Sequence, residues 1–180
     1  MVRHRLTAAD ALLEQSRAVD DWLQVLPVEA LADLRLAVPR ASGGLLAEEQ
    51  IAEEQIETRI IELVVYADDL NRAFPELEPI PLMRSALGRA MRALTRMLAD
   101  AHPGRSVEVR IPPYAAVQCG VGDPGPTHTR GTPPNVVETD ALTFLRLATG
   151  RTSWADALAS GAVHASGLRA DLSGVLPLLS

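Results

Sequence analysis

The spacing of apolar residues changes part-way along this chain of 180 residues, and that change limits the folds open to it. In the first part, apolar residues recur every three or four positions, which is typical of amphipathic helices. From Arg105 onward they alternate with polar residues, as over Val107–Ile111. A period of two is typical of a half-buried strand. The sequence therefore predicts an α+β protein, with a helical bundle over residues 1–101 and a mixed sheet covered by helices over residues 102–180.

Three helices are predicted in the first domain, over residues 7–26, 48–73 and 82–101, and a short helix over residues 28–36 is one interpretation of the segment between the first two. Thr7 is a suitable N-cap for the first of them, and Trp22 is predicted to pack into the core. Prolines at 75, 79 and 81 separate the second helix from the third. The third helix is predicted to bury a stripe formed by Met83, Leu87, Ala90, Leu94, Met97 and Ala101.

The second domain is predicted to contain short strands and two short helices. The strands cover residues 107–111, 114–119, 135–139 and 162–166, and a further strand over 127–130 is one interpretation of that segment. Gly150 is predicted to end the first helix, and Ser153 to cap the second, which ends at Gly161. Residues 168–179 are interpreted as an apolar helix or an irregular amphipathic tail.

Charge and composition exclude several classes of function. The formal net charge is −6, and neither half of the chain has the basic excess that nucleic acid requires. No apolar run approaches the roughly 20 residues of a membrane-spanning helix, and no secretory signal is recognised. Cys119 is the one cysteine, so no internal disulfide can form. We therefore expect a cytoplasmic protein without an integral membrane segment and without a nucleic-acid partner.

A polar stretch over residues 127–140 contains the most unusual side chains of the chain. His128 and Arg130 alternate, so they share a face, and Glu138 or Asp140 could join them in a site for an anion or a polar head group. An equally open interpretation is a hydrogen-bonded network that fixes the crossover over residues 131–135. No serine or cysteine nucleophile is paired with His128, so no catalytic residue is predicted. No phosphate-loop pattern is present either, and no cofactor or metal is expected.

The last 80 residues resemble a sterol-carrier-protein-like domain. The resemblance rests on the strand Asn135–Thr139, the helix Phe144–Leu147 ending at Gly150, the helix Trp154–Leu158, the strand Ala162–Ser166 and the terminal Leu176–Leu179. The stretches 103–110 and 127–140 are similar, more narrowly, to the bacterial and chiefly actinobacterial branch.

This resemblance implies an apolar tunnel that holds a lipid or another hydrophobic small molecule between the sheet and its helices. The polar residues His128, Arg130 and Glu138 are further candidates for ligand binding. An alternative interpretation makes the apolar candidates plain core residues. The apolar residues that would line the tunnel are Phe144, Leu147, Trp154, Leu158, Leu172, Val175, Leu176 and Leu179.

The first 100 residues are similar to the helical domain of the mycothiol-dependent maleylpyruvate isomerase and DinB-like family. The similarity rests on residues 11–23 and 61–70. Metal-bearing relatives are expected to place a Glu and a His one turn apart on the second helix, which puts both on one face. Here Glu62 is followed at that spacing by Tyr66, and no histidine lies between His4 and His102. The resemblance therefore implies that the metal site is lost.

Three functions follow as hypotheses. The first is non-enzymatic binding or carriage of a hydrophobic molecule. The second is a metal-free relative of the thiol-dependent isomerases, with His128, Arg130 and Tyr66 meeting between the two domains. The third is a structural or regulatory module that forms a homodimer.

Overall fold

The computed structural model describes residues 7–25, 53–122 and 135–179, and it confirms the predicted α+β class. Within these ranges, strands begin only at Val107. The predictions for residues 26–52 and the strand over 127–130 lie outside the described residues. The elements, in chain order, are α1 (Ala8–Gln24), α2 (Glu53–Ala73), α3 (Arg84–Ala101), β1 (Val107–Ile111), β2 (Ala115–Cys119), β3 (Val136–Thr139), α4 (Ala141–Ala148), α5 (Trp154–Ala159) and β4 (Val163–Ser166).

Helix α1 begins at the predicted N-cap. The Thr7 hydroxyl accepts a hydrogen bond from the backbone N–H of Asp10 at 3.1 Å, and the Asp10 carboxylate accepts one from the backbone N–H of Thr7 at 2.8 Å. This reciprocal pair satisfies donors that a helix start otherwise leaves unpaired. Trp22, near the other end of α1, is a packing residue as predicted, since it is buried and its ring centroid lies 6.0 Å from that of Phe74.

Side chains of α1 and α2 hold the proline-containing segment 75–83 that leads into α3. The indole N–H of Trp22 donates to the Glu78 carbonyl at 2.6 Å. The side-chain amide of Asn71 donates to the Ile80 carbonyl at 3.0 Å and accepts from the Ile80 N–H at 2.6 Å. Its prolines prevent the backbone of this segment from forming the hydrogen bonds of a helix or a sheet. Side chains therefore satisfy its backbone N–H and carbonyl groups.

The side-chain amide of Gln15 binds the same segment with both its donor and its acceptor, as Asn71 does, and we call this contact the Gln15 clamp. It lies on the buried face of α1 with Leu12 and Val19, and its side chain is fully buried. Its amide donates to the Pro81 carbonyl at 3.1 Å and accepts from the Met83 N–H at 2.7 Å. A buried amide is tolerated there because both its donor and its acceptor are satisfied.

Helix α3 buries a face that is rotated from the predicted stripe. Leu87, Ala90 and Leu94 are buried as predicted, but Met97 is 37% exposed and Ala101 is also exposed. Met91 and Leu98 are fully buried instead. Since alanine, leucine and methionine occur around much of this helix, their spacing alone does not determine which arc packs against the rest of the protein.

The four strands form one mixed sheet in the order β2-β1-β3-β4. Strand β1 is antiparallel to β2 and parallel to β3, and β3 is antiparallel to β4. One face is buried and carries Val107, Val109, Ile111, Cys119, Val137, Thr139 and Val163. The opposite face, which we call the outer face, carries Glu108, Arg110, Val136, Glu138 and His164.

Both α4 and α5 end where the sequence predicts, at Gly150 and Gly161, and α5 also begins at its predicted cap, Ser153. Asp140 caps α4 and Ser153 caps α5 with side-chain oxygens that accept backbone N–H groups. Gly150 and Gly161 follow the two helices at φ values of +70° and +72°, a backbone region in which glycine avoids the steric cost of a side chain.

The final segment, residues 167–179, is irregular and forms turns. The alternative prediction of a helix over residues 168–179 is therefore wrong. The Asp171 carboxylate accepts the Ser173 N–H at 2.8 Å, and Pro177 has no N–H to donate, so neither residue supports a continuous helical ladder. The N–H groups of Leu178 and Leu179 donate to the Ala148 carbonyl at 2.8 and 3.0 Å, which ties the segment to the end of α4.

The chain divides into two compact units, Met1–Arg89 and Ala90–Ser180, and the division falls inside α3. The boundary placed between residues 101 and 102 from the sequence stays a prediction.

Candidate ligand-binding site

The most deeply buried candidates lie on α4 and α5. Phe144 is 1% exposed, Leu147 is 2% exposed and Trp154 is 9% exposed. Asp140 and Ser153 cap the first turns of the two helices and so fix where they begin. These three apolar side chains belong to the interior of the C-terminal unit.

The C-terminal tail, which we define as residues 172–179, adds apolar side chains that are only half-buried. Leu172 is 1% exposed, whereas Val175, Leu176 and Leu179 are half-buried. A turn places Val175 and Leu176, because both their N–H groups donate to the Leu172 carbonyl at 3.0 Å. The tail thus presents partly covered apolar surface beside the end of α4.

The structure separates two other candidates from this interior. Leu158 is 40% exposed on α5, so it is a surface residue. Glu138 lies on the outer face of the sheet, with its side chain 47% exposed and 4.0 Å from a guanidinium nitrogen of Arg110. Arg110 in turn donates from Nε to Glu108 at 2.6 Å. Glu138 therefore belongs to a surface charge cluster and faces away from the buried side of the sheet.

The remaining polar candidates have different outcomes. His128 and Arg130 lie outside the described residues. Asp140 acts as a helix cap, because its carboxylate accepts the N–H groups of Leu142 and Thr143 and the Thr143 hydroxyl. Burial on its own raises the pKa of Asp140, but these hydrogen bonds together outweigh it and hold the pKa below its ordinary value of 3.8.

A family comparison identifies the C-terminal part of the molecule. Residues 83–178 match the model of the family described as bacterial SCP ortholog, which is more than half of the chain. The chain belongs to the bacterial SCP ortholog family. The predicted sterol-carrier-protein-like domain is thereby confirmed, and the match includes α3 as well as the sheet and its helices. No curated protein matches this SCP ortholog.

The thiol of Cys119 and the hydroxyl of Tyr66 in this SCP ortholog are both buried. Cys119 ends β2 with its thiol inaccessible, and burial raises the pKa of that thiol to about 11. Thiolate is therefore scarce at neutral pH, as expected for a small apolar core residue. The Tyr66 hydroxyl is also buried, no hydrogen-bond partner reaches it within the described part of the chain, and burial raises the pKa of this phenol.

Glu62, the position compared with a metal ligand of the DinB-like relatives, lies at the surface of α2. Glu62 is exposed and its carboxylate lies 2.9 Å from Arg59 on the same helix. Across the described residues, His, Cys, Asp and Glu form no group of three or more that could hold a metal ion. Over the same ranges, the helices are too short or too polar to cross a bilayer.

Sequence reasoning missed the role of Asn135 in the SCP ortholog. Its buried side-chain amide donates to the Ser106 carbonyl at 2.7 Å and accepts from the Arg169 N–H at 3.0 Å. The backbone carbonyl of Asn135 accepts from the Glu108 N–H at 3.0 Å. An asparagine at the first position of the predicted strand 135–139 is the one signal available, because asparagine side chains often bond to backbone groups.

Proposed function

We propose that this bacterial SCP ortholog binds a lipid or another hydrophobic small molecule with its C-terminal half and carries it without chemical change. The observation that carries the proposal is the half-buried apolar tail, Val175, Leu176 and Leu179, placed beside α4, whose Phe144 and Leu147 are buried. Family membership supports the same class of ligand.

A hydrophobic ligand that covers the apolar surface of this tail would gain free energy from the burial of both surfaces. Covering apolar surface contributes about 25 cal/mol per Å², or about 0.8 kcal/mol for each buried methylene. An acyl chain of about ten methylenes would then gain about 8 kcal/mol, less the cost of association, which is several kcal/mol. We therefore expect dissociation constants in the micromolar to millimolar range, which is enough for reversible carriage.

Binding is favoured over catalysis by the chemistry of the described residues. Cys119 is buried with a pKa of about 11, so it is a poor nucleophile at neutral pH. Asp140 is occupied by helix capping. These two residues therefore serve the fold.

The experiment is a titration with a fluorescent fatty acyl probe, preceded by native mass spectrometry of gently extracted protein. A matched pair of variants locates the site: Leu176→Gln changes a half-buried tail residue, and Leu168→Gln changes a leucine that is fully exposed. We expect Leu176→Gln to weaken probe binding about tenfold, since it places a polar amide on the apolar surface that would contact the ligand. Leu168→Gln is expected to bind like wild type. An absence of saturable binding by folded wild type, with no co-purified lipid, would rule out carriage.

For the N-terminal half, we propose descent from the helical domain of the DinB-like isomerases with the metal site lost. Glu62 and Tyr66 support this, since the first is paired with Arg59 and the second replaces the expected histidine. We also propose that the protein acts in the cytoplasm. Atomic absorption of the full-length protein after purification in zinc-supplemented medium tests the first point, and stoichiometric metal would contradict it.

A further inference from the structure

We propose that two copies of this SCP ortholog pair through β4 (Val163–Ser166), antiparallel to each other about a two-fold axis at His164. The inference concerns a surface for a second copy of the chain and does not depend on the ligand. Within the described residues, β4 is at one end of the strand order β2-β1-β3-β4, and His164, Ala165 and Ser166 are exposed. We call the side of β4 that faces away from β3 the β4 edge.

The direction of the backbone groups in β4 follows from the rest of the sheet. The Glu108 N–H of β1 donates to the Asn135 carbonyl at 3.0 Å, so the odd-numbered residues of β3 direct their backbone groups towards β1. Because this direction alternates from residue to residue, Glu138 directs its groups towards β4, where it lies opposite His164. His164 therefore pairs its own N–H and carbonyl with β3.

The residues on either side of His164 then direct their backbone groups out of the sheet. Val163 and Ala165 each present one N–H and one carbonyl at the β4 edge, and none of the turn, loop or cap hydrogen bonds of the described ranges involves them. Strand β4 contains no proline and no Lys, Arg, Asp or Glu, which are residues that commonly keep an edge from pairing. The β4 edge is therefore able to accept another strand.

The backbone selects one two-fold register, because outward-pointing residues must pair with one another. An axis at Ala165 would require Gly167 as the next pairing residue, and an axis at Val163 would require Gly161. These two glycines have φ values of +104° and +72°, which are not extended. An axis at His164 instead pairs Val163 with the partner's Ala165, and symmetry repeats the pair, so that all the pairing residues are extended.

The same register brings exposed apolar side chains together. Leu158 on α5 and Leu168, two residues after β4, are among the most exposed large apolar side chains of the described part of the chain. Helix α5 leads into β4 and Leu168 follows it, so an antiparallel pair carries Leu168 of one copy towards the partner's Leu158. The two-fold axis repeats this contact. An edge with apolar side chains at both ends is thus complementary to itself, which favours a second copy as the partner.

The first test measures the mass of the full chain by sedimentation equilibrium between about 5 and 500 µM. One short strand and a few side chains bury little surface, so we expect a weak dimer that forms towards the upper concentrations. Ala165→Pro removes an N–H that would bind the partner, and proline is tolerated at an edge position whose N–H faces out of the sheet. We expect this variant to weaken dimerisation about tenfold or more. Ala165→Thr keeps the N–H and is expected to dimerise like wild type.

A cross-linking experiment tests the position of the axis. At the axis the two His164 residues form a non-hydrogen-bonded pair, in which Cα atoms are about 4.5 Å apart, within the range of a disulfide. We therefore expect His164→Cys to form a disulfide dimer with oxidised glutathione. Ser166→Cys is the matched control on the same face of β4, because its two copies would be about 13 Å apart along the strands. The native Cys119 is buried and does not compete.

Thermal unfolding of each variant checks that the fold is intact. A cross-link in His164→Cys alone supports the proposal even where the dimer in equilibrium is too weak to be measured. A monomer at all concentrations, without that cross-link, would overturn it. So would a dimer that folded Ala165→Pro leaves unchanged, or equal cross-linking of the two cysteine variants, because either result places the contact elsewhere. Hydrophobic carriage is tested separately by the acyl probe.

Discussion

At the scale of single residues, a close backbone approach at the end of β2 depends on a glycine. The Gly120 N–H donates to the His102 carbonyl at 2.8 Å, and a Cβ atom at Gly120 would lie 2.6 Å from the Pro103 carbonyl oxygen. Such a separation is shorter than any stable contact between carbon and oxygen, and both backbones are fixed by neighbouring structure. The end of β2 therefore accepts only a residue without a side chain.

We expect Gly120→Ala to lower the free energy of unfolding by about 1–3 kcal/mol, because overpacking forces the backbone apart. Gly174→Ala is the control, since nothing lies within 4 Å of a Cβ atom there and its φ is not positive. That variant should stay within about 0.5 kcal/mol of wild type. Urea unfolding followed by circular dichroism measures both. Equal midpoints for the two variants would contradict this account of β2.

At the scale of elements, what could be predicted from sequence was local. Thr7 and Asp10 cap α1 across three residues, and the alternation of β1 is visible in five. The missed contacts are distant: Gln15 bonds to Pro81 across 66 positions, and Asn135 to Arg169 across 34. Glutamine and asparagine are usually exposed, so their burial cannot be predicted from sequence when the groups that they bind are far away in the chain. The same lack of context explains why Met97 was expected to be buried.

The Gln15 clamp gives a prediction for the start of α3. Gln15→Ala removes the side-chain amide that pairs with the Pro81 carbonyl and the Met83 N–H, which leaves two part-buried backbone groups without this partner. We expect a loss of about 2–3 kcal/mol in the free energy of unfolding. Gln24→Ala is the matched control, since Gln24 is exposed at the end of the same helix, and it should have little effect. Urea unfolding measures both variants. If both lose a similarly small amount of unfolding free energy, the hydrogen bonds of Gln15 do not stabilise the fold.

The Asp140 cap gives a pH-dependent prediction. Because the folded-state pKa of Asp140 lies below its ordinary value of 3.8, its contribution is complete above that pH and is lost as the pH falls through the folded value. Asp140→Asn keeps the acceptor but not the charge, and we expect it to cost about 0.5–1 kcal/mol at neutral pH.

That cost should shrink as the pH falls below about 4 towards 3, because the carboxylate of the unfolded wild type takes up its proton first and the linked stability is lost. Unfolding curves across this range, with Asp20→Asn on the exposed side of α1 as control, test the sign. A cost that is constant with pH would show that charge plays no part in this cap.

At the scale of the whole molecule, architecture was easier to predict than the site. The α+β class follows from periodicity, and the SCP-like domain was predicted from the family resemblance of the segments around Phe144 and Trp154. The exposure of Leu158 and the outward direction of Glu138 do not, since both depend on which side of an element faces the interior. The homodimer and the meeting of His128, Arg130 and Tyr66 stay hypotheses, which light scattering and the corresponding substitutions test.

Ligand binding should also appear in the stability of the folded protein. A ligand that binds only the native state adds about 2.7 kcal/mol at a free concentration about 100 times its dissociation constant. For a protein of this size we expect dodecanoic acid to raise the melting temperature by about 5–10 °C. Leu176→Gln should show a smaller rise at the same concentration, and Leu168→Gln a full one. An equal rise in both variants would place the ligand elsewhere.

The two side-chain hydrogen bonds of Asn135 restrict which amino acids evolution can accept at that position. Aspartate has the right length but no donor for the Ser106 carbonyl, and leucine has neither donor nor acceptor. Glutamine has both groups but is one methylene too long for a pair of contacts already at 2.7 and 3.0 Å. Among natural variants of this chain, position 135 should therefore vary less than the apolar positions around it, which can exchange one aliphatic side chain for another.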